Sequence, residues 1–205
     1  MMKMSGNYRN GNFVGKNFVN GDFREVDVTG ANFKDSDLSG AIFRNTLVSH
    51  VNFANANLFG ANLYSCSFRH CKFDFANLTN VEMYRSVVRN TSFRNAKLNR
   101  SNLGNSLFFD TDFRGADFTG VNILYAKFKN SALSEARFIV KLDVNDGRVG
   151  YEAFAVEDCP GKYIIYCGCR MFSVQEALDH WGSPKYINKK RGQRYVREIL
   201  SLIKS

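Results

Sequence analysis

The stretch ANFKDSDLSGAIF, Ala31 to Phe43, carries an aromatic or aliphatic side chain at Phe33, Leu38 and Phe43, and a small one two places before each, at Ala31, Ser36 and Ala41. The interval is five residues. An α-helix repeats roughly every 3.6 residues and a strand every second one, so neither element by itself produces this spacing.

The same step holds far beyond the quoted stretch. Counting by fives from Tyr8 to Phe138 meets 27 residues, all apolar or aromatic, with no insertion that shifts the phase, and 14 of the 19 Phe of the chain fall in this single register. The residue two places earlier is Gly, Ala, Ser, Thr, Cys or Val in 26 of the 27 units, Lys16 being the exception, and the residue immediately before is Asn or Asp in 15. The consensus reads small, Asn/Asp, Phe/Leu, any, any. A unit with one large and one small inward position forms one side of a coil: the large side chain fills the axis, the small one lies where little volume remains, and the other three positions face water. Such a unit cannot bury its face alone and must stack on neighbours. Stacked coils pair backbone to backbone at about 4.8 Å.

The units ANFKD, SDLSG, ANLFG, ANLYS, SNLGN, TDFRG and ADFTG resemble the A(D/N)LXX motif of the pentapeptide repeat family over about residues 6–140. The resemblance implies a mainly β fold, a right-handed quadrilateral parallel β-helix with four units per coil and about seven coils in all. At twenty residues per coil, Phe13, Phe33, Phe53, Phe73, Phe93, Phe113 and Leu133 form one interior column.

After Phe138 the register stops, with Asp143 where the next member belongs, and the chain divides into a solenoid over 1–140 and a small α+β domain over 141–205. Asp146–Gly147 reads as a turn, Tyr151–Glu157 and Tyr163–Cys169 as a hairpin around the Cys159–Lys162 turn. Ser173, three residues before Glu176, predicts a capping box and a short helix ending near Gly182. The final KKRGQRYVREILSLIKS predicts an amphipathic helix. A β-hairpin plus two helices is thus expected, and its role is expected to be capping the C-terminal end of the solenoid, whose last coil exposes unpaired backbone. The segment from Gly168 to Gly182 resembles C-terminal pieces attached to some phage and bacterial pentapeptide proteins.

Composition narrows the function classes. No run of 18 apolar residues exists, the opening MMKMSGNYRNGNF has no apolar core of a secretory signal, and five unevenly placed Cys favour reduced thiols, so a cytoplasmic protein without a membrane span is expected. His50, His70 and His180 are the only histidines, and no nucleophile motif, phosphate loop or carboxylate pair accompanies them; neither an enzyme, a cofactor nor a small-molecule substrate is expected. Cys159, Cys167, Cys169 and His180 supply zinc-type ligands, but their spacing lacks the close Cys pair of common zinc sites, and Cys66 and Cys71 occupy small inward positions.

Three partner classes remain. Outward positions hold Phe59, Tyr64, Tyr84, Phe109, Leu124 and Tyr125, with Tyr64, Tyr84 and Leu124 in one column around Gly104, and exposed aromatics of this kind mark a protein-contact surface, a second copy of the chain included. Arg69, Arg85, Arg89, Arg94 and Arg114, with Lys189, Lys190 and Arg191, offer a basic ridge for nucleic acid. The family resemblance also implies binding to type II topoisomerases such as DNA gyrase, explained for some members by a negatively charged rod shaped like duplex DNA. This sequence departs from that: residues 1–138 hold 17 Lys and Arg against 11 Asp and Glu, and a local acidic strip of Asp22, Glu25, Asp27, Asp35 and Asp37 is the feature that fits the idea.

Overall fold

The computed structural model describes residues 2–137, 139–142, 153–159, 162–167, 170–183, 193 and 196–197. The chain forms two compact units, Met1–Arg137 and Phe138–Ser205.

In the first unit β1 (Met2–Lys3) pairs in parallel with β2 (Gly21–Asp22). Beyond it, pairing steps by twenty residues. One column runs Asn12, Asn32, Asn52, Lys72, Ser92, Asp112, Ala132; a second runs from Asn17 to Arg137 and a third from Asp22 to Asn122. The fourth column is regular strand: β3 (Leu47–Ser49), β4 (Ser67–Arg69), β5 (Val87–Arg89), β6 (Leu107–Phe109) and β7 (Lys127–Lys129) make a five-stranded parallel sheet in sequence order. Four columns at a twenty-residue step are the quadrilateral parallel β-solenoid that the five-residue register implies.

The interior follows the expected columns. Phe13, Phe33, Phe53, Phe73, Phe93 and Phe113 stack in order with ring centroids 4.8 to 5.6 Å apart. Rings from adjoining sides meet edge to face, as Phe68 does Phe73 at 5.4 Å and 78°, the arrangement the aromatic quadrupole favours.

Two features of the repeat have causes that the apolar register does not disclose. The Asn or Asp before the apolar residue caps its own turn: Asn52 Oδ1 accepts from the Ala54 amide at 3.1 Å, Asn62 from Tyr64 at 3.1 Å, Asp117 from Thr119 at 2.9 Å. The amide groups then ladder between coils, Asn52 to Asn32 and Asn122 to Asn102, each at 3.1 Å. Second, every fifth residue from Asn10 to Glu135 has positive φ. That position, "any" in the consensus, is a left-handed corner, which explains why nine of its 26 occupants are Asn, six Gly and two Asp.

The small inward residues beside the sheet complete the backbone's hydrogen bonding. Ser86 Oγ donates to the Leu63 carbonyl at 2.8 Å and accepts from the Cys66 amide at 3.1 Å; Ser106 repeats this with Met83 and Ser86 at 2.7 and 3.0 Å. Cys66 Sγ lies 2.8 Å from the Phe43 carbonyl in the same way.

The second unit holds β8 (Ile139–Leu142), β9 (Ala153–Cys159), β10 (Lys162–Cys167) and β11 (Arg170–Ser173) in an antiparallel sheet ordered β11-β10-β9-β8. The expected hairpin is its central pair. Two flanking strands correct the reading of a lone hairpin: the apolar Ile139–Leu142 pairs with β9 rather than extending the solenoid, so this unit starts before residue 141. Helix α1 (Val174–Gly182) starts at the predicted capping box, Ser173 Oγ accepting from the Glu176 amide at 3.2 Å and the Glu176 carboxylate from the Ser173 amide at 2.7 Å. Ala177 and Trp181, one turn apart, bury against Ala155 and Ile165, with Val196 packed on the same cluster. The Asp146–Gly147 turn, Pro160 and Gly161, and most of the predicted last helix lie outside the described residues.

Ser101 Oγ is the one buried side-chain polar atom without a hydrogen-bond partner among the described residues. Ser101→Ala is therefore expected to stabilise the solenoid by about 1 kcal/mol, whereas Ser86→Ala, which strips a donor and an acceptor from bonded backbone, destabilises it by about 1–3 kcal/mol; chemical denaturation of both variants reads the opposite signs.

Candidate interaction surface

Outward side chains at the corners of the solenoid divide the predicted residues among its sides. Tyr64, Tyr84 and Leu124 fall in one column with Arg44 and Gly104, tied rung to rung by amides such as Asn45 to the Tyr64 carbonyl and Ser65 to the Tyr84 carbonyl, each at 3.0 Å. Arg85 and Tyr125 occupy the left-handed positions of the same corner. Phe59 lies in the Leu38–Leu58–Leu78 units and Phe109 in the sheet of β3–β7, each apart from this group.

The tyrosine corner is a connected structure. The Tyr64 and Tyr84 rings stack at 6.1 Å and 19°. The Arg44 guanidinium sits 5.0 Å from the Tyr64 ring centre and that of Arg85 sits 5.5 Å from Tyr84's. Asn105 Nδ2 donates to the Tyr84 hydroxyl at 2.7 Å and Arg85 to the Tyr64 hydroxyl at 3.4 Å. Gly104 has no left-handed φ to explain it; a Cβ there would lie 3.2 Å from Tyr84 Cδ2 and from the Leu124 carbonyl. Its missing side chain makes room for the Tyr84 ring.

The arginines of the expected ridge fall in three separate columns. Arg69 and Arg89 pair between strands, and Arg89 lies 4.6 Å over the Phe109 ring. Arg94 and Arg114 converge on Asp112 at 2.8 and 2.6 Å, and the Arg114 hydrogen bond holds that carboxyl below the usual range. They line a shallow pocket of about 360 Å³ with Asp74, Phe75, Asn95 and Glu135. Arg85 belongs to the tyrosine corner. The continuous ridge is thus broken up, and four of its five solenoid arginines are ion-paired or stacked on a ring. Lys189, Lys190 and Arg191 lie outside the described residues.

The acidic strip is likewise dispersed. Asp22 is held by Arg24 at 2.6 Å, Asp27 by Arg9 at 3.0 Å, Asp35 by Lys34 at 3.8 Å and Glu25 by Lys3 at 3.9 Å, and the five acidic residues occupy all four sides. His50 and His70 stack at 4.9 Å, as their twenty-residue separation predicts. Burial pushes the Cys66 thiol up to about 12 and the Cys71 thiol up to about 11, so neither is a ready nucleophile. Of the metal candidates, Cys169 and the side chains of Cys159 and Cys167 lie outside the described residues; the His180 ring lies 5.3 Å from Phe172 and Trp181. No group of three or more metal-ligating side chains occurs among the described residues, and no described helix is long and apolar enough to cross a membrane.

Two surface features went unread in the sequence. The sheet side carries Leu47, Val87 and Leu107 outward where the other sides carry mostly Asn or Asp; the signal is the absence of Asn/Asp at 47, 67, 87, 107 and 127, every fourth unit after Asp27. The left-handed corners also hold residues ill suited to them, among them Arg85, Tyr125 and Phe75.

Models of the pentapeptide repeat region match residues 61–138, and of pentapeptide repeats in eight copies residues 12–47 and 36–74. Among solved structures the chain is similar to the pentapeptide repeat protein Rfr23 of the cyanobacterium Cyanothece 51142, 21% identical over 60% of this chain and 84% of that one, TM-score 0.45. It is similar also to a pentapeptide repeat protein of the Arabidopsis thaliana thylakoid lumen, 26% identical over 53% and 69%, TM-score 0.33. A third is QnrB1, a plasmid-mediated fluoroquinolone resistance protein, 19% identical over 62% and 73%, TM-score 0.37. No curated protein matches the sequence.

Phe75 is 62% exposed and Tyr125 45%, so burial does not repay their left-handed backbone. Phe75→Asn and Tyr125→Asn are each expected to raise stability by about 1 kcal/mol, seen as a higher melting temperature. The Arg24 hydrogen bond lowers the Asp22 carboxyl to about 2. Its contribution is therefore present above an unfolded-state value of about 3.9 and disappears as pH falls through about 2; a pH series of melting curves should show that loss in the wild type and a flatter response in Asp22→Asn.

Proposed function

The chain belongs to the pentapeptide repeat family, and we propose that it works without catalysis, as a cytoplasmic binding protein that presents its tyrosine corner to a protein partner. The observation that carries this reading is the Arg44–Tyr64–Tyr84 stack with Arg85, Asn105 and Gly104 around it. Tyr and Arg are the side chains over-represented at energetic centres of interfaces. Here they are held in place before any partner arrives, which lowers the ordering cost of binding. Nothing in the core requires them: the large inward positions of the same units are already filled by Leu63 and Met83.

Electrostatics weigh against the topoisomerase reading. A rod that stands in for DNA must present a negative strip, and the five acidic residues near the N-terminal coils are spread round the solenoid, four of them paired with Lys or Arg. A supercoiling assay with purified gyrase that stays unaltered at large protein excess would agree with the charge argument.

The direct test is capture from host extract with wild type, Tyr64→Ala/Tyr84→Ala and, as a control on another side, Phe59→Ala. The double variant is expected to lose a protein that the control retains; identical partner sets for all three would remove the tyrosine corner from the function. Gly104→Ala should weaken the same capture by displacing Tyr84.

A further inference from the structure

We infer that the tyrosine corner takes an acidic, extended segment of a partner protein, running along the solenoid axis with carboxylates on Arg44 and Arg85; this rests on the reading of the corner as a protein-contact surface. Three independent observations converge there. Among the described residues Arg44 and Arg85 have no carboxylate partner within 4.0 Å, a state they share with Arg69, Arg89 and Arg100, whereas Arg9, Arg24, Arg94 and Arg114 each have one. Each of the two guanidiniums lies over a tyrosine ring, a contact that orients the side chain while leaving N–H groups to donate to a carboxylate. Arg85 stands at φ 58° and Tyr125 at φ 61°, in corner positions that Asn45 and Asn105 fill elsewhere in the same column, so an unfavourable backbone is kept for an arginine and a tyrosine on this side.

Geometry sets the spacing of the ligand. Arg44 and Arg85 belong to coils two steps apart, which is roughly 10 Å at about 4.8 Å per coil. An extended chain in the polyproline II conformation advances about 3.1 Å per residue with about three residues per turn, so acidic side chains three residues apart lie on one face and reach both arginines. The acidic side chains nearest in the same column are engaged elsewhere: Glu82 accepts from Asn102 Nδ2 at 2.9 Å, and one coil before Arg44 Asp22 pairs with Arg24 and Glu25 with Lys3.

The rings themselves argue for a peptide over single-stranded nucleic acid. Base recognition on a stacking platform needs a free aromatic face. The Tyr64 ring has Arg44 towards one face and Tyr84 stacked on its other side, and Tyr84 packs over Gly104. What remains for a ligand is ring edge, hydroxyl and guanidinium, the chemistry that meets carboxylates and backbone.

The test is fluorescence anisotropy with three labelled probes: a peptide with Glu at every third position separated by Ser and Gly, a peptide of the same composition with its Glu in one block, and an oligothymidylate of equal charge. Wild type is expected to bind the spaced peptide most tightly. Arg44→Gln/Arg85→Gln should weaken that binding about tenfold, while Arg69→Gln/Arg89→Gln, which removes the same charge from another side, should leave it within about twofold. Melting curves check that these exposed substitutions leave the fold intact. Equal losses in the two variants would mean unspecific attraction to a basic protein and would overturn the inference. So would absent binding of the spaced peptide, or tighter binding of the block peptide or the oligothymidylate. If the captured partner depends on Tyr64 and Tyr84 yet survives Arg44→Gln/Arg85→Gln, the acidic-segment inference falls while the protein-binding reading stands.

Discussion

The left-handed residue at every fifth position turns the chain through each corner, and the rest of the solenoid depends on it. Four such turns return the backbone above itself after twenty residues, which brings amides and carbonyls of successive coils into parallel pairing. Only then do the Phe rings of one side stack, because a ring at position n lies over the ring at n + 20. The corner is sterically adverse for most L-residues. The chain meets this largely with Asn and Gly, whose side chains tolerate the region, and the Asn or Asp two places before the next corner's start fixes the turn by accepting its amide.

This division of labour explains which parts of the fold are legible in the sequence. The apolar register fixes the interior, and Phe33, Phe53, Phe73 and Phe93 lie where the twenty-residue count puts them. The corner signal is also written in the sequence, as nine Asn and six Gly in one phase, but it is easily passed over because it sits among exposed polar residues where composition varies freely. Strands β8 and β11 are harder to read: each has four residues, too few for alternation to separate them from a loop, and they become strands by pairing with β9 and β10. The capping box of α1 is readable because Ser173 and Glu176 act within one turn.

The candidate site shows the same boundary. Tyr64, Tyr84 and Leu124 share a column by counting alone, and the sequence places them together. Counting does not show that Arg94 and Arg114 meet on Asp112, that Arg89 covers Phe109, or that Asp22 and Asp27 are paired with nearby arginines. Net charge treats these groups as equal, yet the structure separates charges paired with a carboxylate, such as Arg24 and Arg114, from those that are not, among them Arg44, Arg69, Arg85 and Arg89. A surplus of positive charge spread over a rod is a statement about solubility and encounter; two guanidiniums without a carboxylate on one corner are the basis for the partner chemistry proposed for it.

A stacked solenoid gives such a corner a particular advantage. Each rung is bonded to the rungs on both sides, so an outward side chain rides on backbone that does not rearrange locally, and its position is set by its place in the count. The freedom that Tyr64, Tyr84 and Arg85 would lose on meeting the proposed partner is then mostly lost on folding, through stacking and the bonds to the two tyrosine hydroxyls. The opposite limit applies to Phe75 and Tyr125, which project from left-handed corners with large exposed areas. They weaken the fold at their own corners, and a rigid interior of stacked rings is what allows the solenoid to carry them. Stability in this molecule resides in the repeat, and the proposed selectivity rests on where the repeat is broken: a glycine that makes room for a ring, an arginine in place of an asparagine, a tyrosine at a turn.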